Sequence, residues 1–153
     1  MQFVVFILTY FVLAFNVIGY GYFFAKNLTA YNKSPNIGYM GLYGITFLTL
    51  ISYLTNLILK HDYSHNFIIQ IIGIFFFFYY FSSIKNIKQN RDIKYLLFFL
   101  TLSTTSILYF KSHDDFLYYH LSFIDNLTIN KVEFGLGNFD LAFNHVSSLF
   151  FFH

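Results

Sequence analysis

The sequence predicts an all-α, polytopic membrane protein with four transmembrane helices, an outward amphipathic helix and the start of a fifth span. Three observations predict it. First, 57% of the 153 residues are hydrophobic and only 10% are charged, whereas a soluble domain is typically about a quarter charged. Too few charges remain to coat a globule in water, and the hydrophobicity equally excludes a disordered chain. Second, the apolar residues gather into long runs separated by short polar connectors. A helix needs ~20 apolar residues to cross ~30 Å of hydrocarbon. Third, the net charge is only +2 and there is no cysteine. This excludes a strongly basic nucleic-acid binder, and with it disulfides and cysteine-held metal or iron–sulfur centres. The 24 Phe and 14 Tyr accompany abundant Ile, Asn and Lys, a usage that AT-rich codons explain more simply than an aromatic cage.

The first span is Phe3 to Ala25, which holds no charge. It lacks the basic start of a cleaved leader and its apolar run is long enough to cross, so it reads as a retained helix. Lys26 to Ile37 is a polar connector broken by Pro35. The second span is Gly38 to Leu59, followed by a polar turn from Lys60 to Asn66. The third is Phe67 to Ile84, followed by the basic stretch Lys85 to Lys94. The fourth, Tyr95 to Phe110, carries Thr101, Ser103, Thr104, Thr105 and Ser106. Their hydroxyls can bond to helix carbonyls or to a neighbouring helix, and a packing face is a simpler account of them than a transport path.

Orientation follows from the basic residues. The connectors after spans one and three hold Lys26, Lys33, Lys85, Lys88, Arg91 and Lys94, against Lys60, Lys111 and Lys131 on the other side. The first set is expected inside, which turns the N-terminus and everything after Phe110 outward. The organisation is then a transmembrane region over 1–110, an outward loop over 111–145 and the beginning of a further span over 146–153. That last run stops after a few residues, so the chain reads as the N-terminal part of a longer protein. Charge divides in the same way. Seven basic and two acidic residues precede Lys111, while two basic and five acidic residues follow from it onward.

The outward loop is where chemistry is expected. Ser112 or Asp114 can cap a helix running to about Leu127. At 100° per residue, Phe116, Leu117, His120, Leu121, Phe123, Ile124 and Leu127 share one arc. Asp115, Tyr118, Tyr119, Ser122, Asp125 and Asn126 fill the other, the pattern of a helix lying in a membrane interface. Thr128 to Phe134 reads as a connector and Gly135 to Asn138 as a turn. The adjacent Asp114 and Asp115 admit two readings. In one they are a solvated pair at a helix N-terminus, where negative charge is favoured. In the other, mutual repulsion at a dry membrane edge raises one pKa and prepares a proton acceptor. His113 and His120 flank the pair, but neighbouring carboxylates on a helix point apart, a poor geometry for a metal. No metal site is therefore assigned. His61 and His65 are spaced i,i+4, on what reads as a short turn rather than a helix. Phosphate-loop, dinucleotide and nucleophile-elbow motifs are absent.

The run Asp115-Phe116-Leu117-Tyr118-Tyr119-His120-Leu121, then Gly135-Leu136-Gly137-Asn138, then Ser147-Ser148, resembles a family of bacterial multi-pass membrane proteins. Their first large outward loop carries D-x-x-x-Y-H-L, G-L-x-N and a Ser pair opening the next span. That family is similar in turn to the GT-C membrane glycosyltransferases. The resemblance covers about 40 residues and departs from the pattern at Ala142, where a basic residue is usual. The acidic loop also follows the fourth span, not the first.

The resemblance implies sugar transfer from a polyprenyl-phosphate donor at the periplasmic face of a bacterial inner membrane. It gives the catalytic role to Asp115, with Asp114 beside it. It implies substrate binding by Tyr119, His120, Asn138, Ser147 and Ser148. Membrane lipid and the lipid-linked sugar are the implied partners. A cation for the phosphate would come from Lys111, Lys131, the missing remainder of the protein or a divalent ion. The other readings are a non-enzymatic multi-pass subunit and, last, a transporter. Transport fits poorly, because the first three spans hold no ionisable group that would couple to an ion.

Overall fold

The structure, a computed structural model, describes residues 2–28, 36–86, 90–109 and 121–131, together with Gly135 and Asn138. The described residues form five α-helices and no strand. These are α1 (Gln2–Leu28), α2 (Ile37–Asn56), α3 (Tyr63–Asn86), α4 (Asn90–Tyr109) and α5 (Leu121–Ile129). Two are long and apolar enough to cross a membrane, α1 over Phe3–Leu28 and α2 over Ile37–Asn56. Only 22% and 28% of their most apolar stretches lie buried inside the protein.

The helix ends show local causes. Asn36 caps α2, its Oδ1 accepting from the Gly38 amide at 2.8 Å. α2 stops at Asn56, short of the expected Leu59, because the Ile58 and Leu59 amides turn back to the Thr55 carbonyl at 3.0 and 2.7 Å. α3 starts at Tyr63, earlier than the apolar run suggested, because Asp62 Oδ1 accepts from the His65 amide at 3.0 Å. α4 begins at Asn90, inside the stretch expected as a basic loop. α5 extends to Ile129, so Thr128 and Ile129 are helical where a connector was expected. On α5, Phe123 and Leu127 are buried while Ser122 and Asp125 are exposed, in keeping with the two arcs read from sequence.

The chain divides into two compact units. The first comprises Met1–Phe47 and Ile69–Lys111. Its core is Ile18, Tyr22, Ala25, Ile37, Met40 and Tyr80. Met40 is wholly buried, worth on the order of 2 kcal/mol by apolar transfer. α1 meets α2 backbone to backbone: a Cβ on Gly21 would overlap the Met40 carbonyl, and one on Gly44 the Val17 carbonyl. α1 meets α3 in the same way, since a Cβ on Gly19 would overlap the Gly73 carbonyl. Rings fill the space beside these contacts, with Phe23 stacked on Phe76 at 4.4 Å and Phe15 on Phe77 at 4.8 Å. Polar side chains in this unit bond to the backbone of the next helix. Asn16 Nδ2 donates to the Gln70 carbonyl at 3.2 Å and Tyr20 Oη to the Ile69 carbonyl at 2.8 Å. On α4, Thr101, Thr104, Thr105 and Ser106 all donate to carbonyls three or four residues back in their own helix. Only Thr104 among them is buried, which narrows the expected packing face to that position.

The second unit comprises Leu48–Ile68 and Ser112–His153. Its described part is the end of α2, the turn, the start of α3, α5 and the Gly135–Asn138 turn. The His61 amide donates to the Leu127 carbonyl at 2.8 Å and ties the interhelical turn to α5.

Candidate functional site

Most residues singled out by the sequence motif lie outside the described residues: Asp114, Asp115, Tyr119, His120, Ser147 and Ser148. The same holds for His113, Ser112 and the beginning of a fifth span. Asn138 is described and exposed. Its amide closes a tight turn on the Gly135 carbonyl at 2.9 Å. Gly135 has φ 88°, a left-handed conformation that glycine adopts without strain. Gly135 and Asn138 are thus joined as the two ends of a turn, in keeping with the turn read there.

The densest polar arrangement among the described residues lies elsewhere in the second unit. The sequence reading put His61 and His65 on a short turn. In the structure His65 stands in the first turn of α3 and His61 just before it, because the Asp62 cap starts the helix between them. The rings stack at 4.4 Å with 5° between their planes. Both aim Nε2 at one hydroxyl, Thr55 Oγ1, at 3.3 Å from His61 and 3.1 Å from His65. His61 is 1% exposed and His65 half-buried. Asn66 completes the set, its Oδ1 3.1 Å from His65 Nδ1 and its Nδ2 3.3 Å from the His61 carbonyl.

Donor and acceptor roles follow from this geometry. The His61 carbonyl can only accept, so the Asn66 amide must present its NH2 there and its oxygen to His65. His65 Nδ1 must then carry a hydrogen. Thr55 Oγ1 donates to the Ser52 carbonyl at 3.2 Å, and its oxygen faces the Nε2 atoms of both rings. Asp62 accepts from the His65 amide, which holds its carboxyl below the usual carboxylate range, with a smaller contribution from Lys60 at 3.6 Å. Asn56 is wholly buried beside this turn in sequence, and its Oδ1 has no partner among the described residues.

Among the described residues no three His, Cys, Asp or Glu side chains come together as metal ligands. Sequence reasoning missed Thr55, Asn56 and Asn66. The available signal was the recurrence of Ser52, Thr55 and Asn56 at helical spacing in an otherwise apolar span, facing the i,i+4 histidines. Compared with known protein families, with characterised proteins and with solved structures, the chain gives no match.

Proposed function

We propose that the chain is an integral membrane protein of four spans, α1 to α4, and acts as a GT-C-like glycosyltransferase on a polyprenyl-phosphate-linked sugar at the outer face of the membrane. The observation that carries this reading is the ordered series Asp115, Tyr119-His120-Leu121, Gly135–Asn138 and Ser147-Ser148 within one acidic segment. Several features support the membrane part. Large apolar side chains such as Leu8, Phe75, Phe78, Phe98 and Phe99 are more than half exposed, which suits lipid rather than water. α3 and α4 have 24 and 20 residues, or about 36 and 30 Å at the helical rise. The basic connectors favour an inner-membrane orientation with the N-terminus and the segment after Phe110 in the periplasm. The two faces of α5 suit a helix lying at that surface.

The chemistry follows from the donor. The acceptor hydroxyl loses its proton to the Asp115 carboxylate as its oxygen bonds to the anomeric carbon. The bond from that carbon to the phosphate oxygen breaks, and its electron pair leaves with the lipid phosphate. Attack opposite the leaving group inverts the anomeric centre. Asp114 sustains the acidic environment, while Tyr119, His120, Asn138, Ser147 and Ser148 hold the substrates.

The test is Asp115→Asn in membranes supplied with the lipid-linked sugar. Loss of a positioned base is expected to slow transfer by about 10²–10⁴-fold while membrane insertion and abundance stay unchanged. Undiminished transfer would remove Asp115 from the mechanism. Falling abundance without any transfer activity in the parent protein would favour the non-enzymatic subunit.

A further inference from the structure

We propose that the cleft between the start of α2 and the first half of α4 binds an anionic phospholipid of the inner leaflet, headgroup at Lys94 and one acyl chain along Phe98 and Phe99. The inference rests on the membrane part of the function proposed above, with α4 as a span, and is independent of sugar transfer.

The cleft has a volume of about 860 Å³, within the ~300–1,000 Å³ common for ligand sites. It lies wholly within the first unit. The local sequence accounts for it. Ile37 turns into the core and is 8% exposed, and Gly38 beside it has no side chain to offer. On the other wall, Leu96 packs on the core that Ile37 enters. Tyr95, Phe98 and Phe99 stand at i, i+3 and i+4 on α4 and so share a face. Each of these three rings is more than half exposed. The space between the two helices is left open, with aromatic rings along one side.

The polar lining gathers at one end, in Lys94 and in Asn36 just before α2. Asn36 Oδ1 is taken by the Gly38 amide at 2.8 Å, so the NH2 group is what this side chain can offer a ligand. Lys94 is exposed, and among the described residues no carboxylate pairs with it. Lys26 of the same unit, by contrast, already lies 5.0 Å from the centre of the Tyr80 ring. Cation, phenol and phenyl rings therefore follow one another from Lys94 to Phe99, over ~7.5 Å of helix axis. An anionic headgroup joined to a hydrocarbon chain has that same order, and tyrosine suits the level between them. A soluble anion would leave the rings uncovered, and a lipid without net charge would leave Lys94 unmatched. Lys94 also belongs to the basic set expected inside, where anionic lipid concentrates.

The experiment is native mass spectrometry of the full chain released from nanodiscs of phosphatidylcholine doped with phosphatidylglycerol. The chain is expected to keep one phosphatidylglycerol in preference to phosphatidylcholine, and soluble glycerol phosphate should not displace it. Lys94→Gln should weaken that retention about fivefold, the effect of one basic residue near an anionic surface. Gly38→Leu should weaken it at least as much by filling the cleft. A Cβ at Gly38 meets Asn36 Oδ1 at 3.4 Å and nothing nearer, so the fold has room for the change. Lys26→Gln removes an equal charge from the same unit outside the cleft and should leave retention unchanged. Equal retention of the two lipids, displacement by glycerol phosphate, an equal loss in Lys26→Gln, or undiminished retention in either cleft variant would each overturn the proposal and leave the membrane reading intact. A chain that fails to enter nanodiscs would overturn that reading and the proposal together.

Discussion

The two units solve the burial of polar backbone and side chains in opposite ways. In the first, helices approach until backbone touches backbone at Gly19, Gly21 and Gly44, and the buried Asn16 and Tyr20 side chains bond to carbonyls of α3. Volume governs such a region, because these two donors have fixed acceptors and little room remains. In the second, Thr55, His61, His65 and Asn66 lie within hydrogen-bond distance of one another around a helix end. There polarity governs, because a polar group that loses its partner in a half-buried place must find another. The comparison teaches that a chain this apolar holds its helices by two distinct means, one sensitive to an added methyl group and one to a lost polar partner.

Size changes should break the first region most severely. Gly21→Ala and Gly44→Ala each drive a methyl into a carbonyl of the facing segment. Each is expected to cost about 1–3 kcal/mol or more, read as a fall in thermal midpoint in nanodiscs. The second region should be sensitive to polarity instead. Thr55→Val keeps the shape but removes the hydroxyl that both rings face, a loss of about 1–3 kcal/mol. If it proved neutral, the two regions would not differ as described. Gly41 sharpens the first half of the comparison. It faces open space, so Gly41→Ala should stabilise by about 0.5–1 kcal/mol through helix propensity alone. The smallest effect concerns Asp62. Its folded carboxyl is held below its usual range by the His65 amide, so its stabilisation is complete above the ordinary value of 3.8 and is lost as pH falls through the lower folded one. Asp62→Asn keeps a capping oxygen and should abolish that acid-side change in the melting profile.

The helical class, and two helices long and apolar enough to cross a membrane, were legible in the sequence because long apolar runs admit few alternatives. The boundaries were less so, for reasons that lie in single side chains. Asp62 starts α3 ahead of its apolar run, and the backbone of Ile58 and Leu59 curls onto Thr55 although both residues are apolar. The Gly135–Asn138 turn was readable because glycine tolerates its left-handed backbone. The polar ring around Thr55 was not. It joins residues up to 11 positions apart across a helix end, and hydropathy reads Thr55, His61 and Asn66 only as interruptions. The Asp114–Asp115 pair lies outside the described residues, and its reading rests on residue type alone.

The hydroxyls of α4 change what it costs to cover that helix with apolar surroundings. Thr101, Thr104, Thr105 and Ser106 each give their only hydrogen to a carbonyl of the same helix. A residue-by-residue scale charges each of them for lost hydration, yet none leaves a donor to be stripped of water. Against an apolar neighbour of any kind, α4 presents a surface more oily than its composition. Four polar letters in its sequence are, in that setting, largely methyl and methylene.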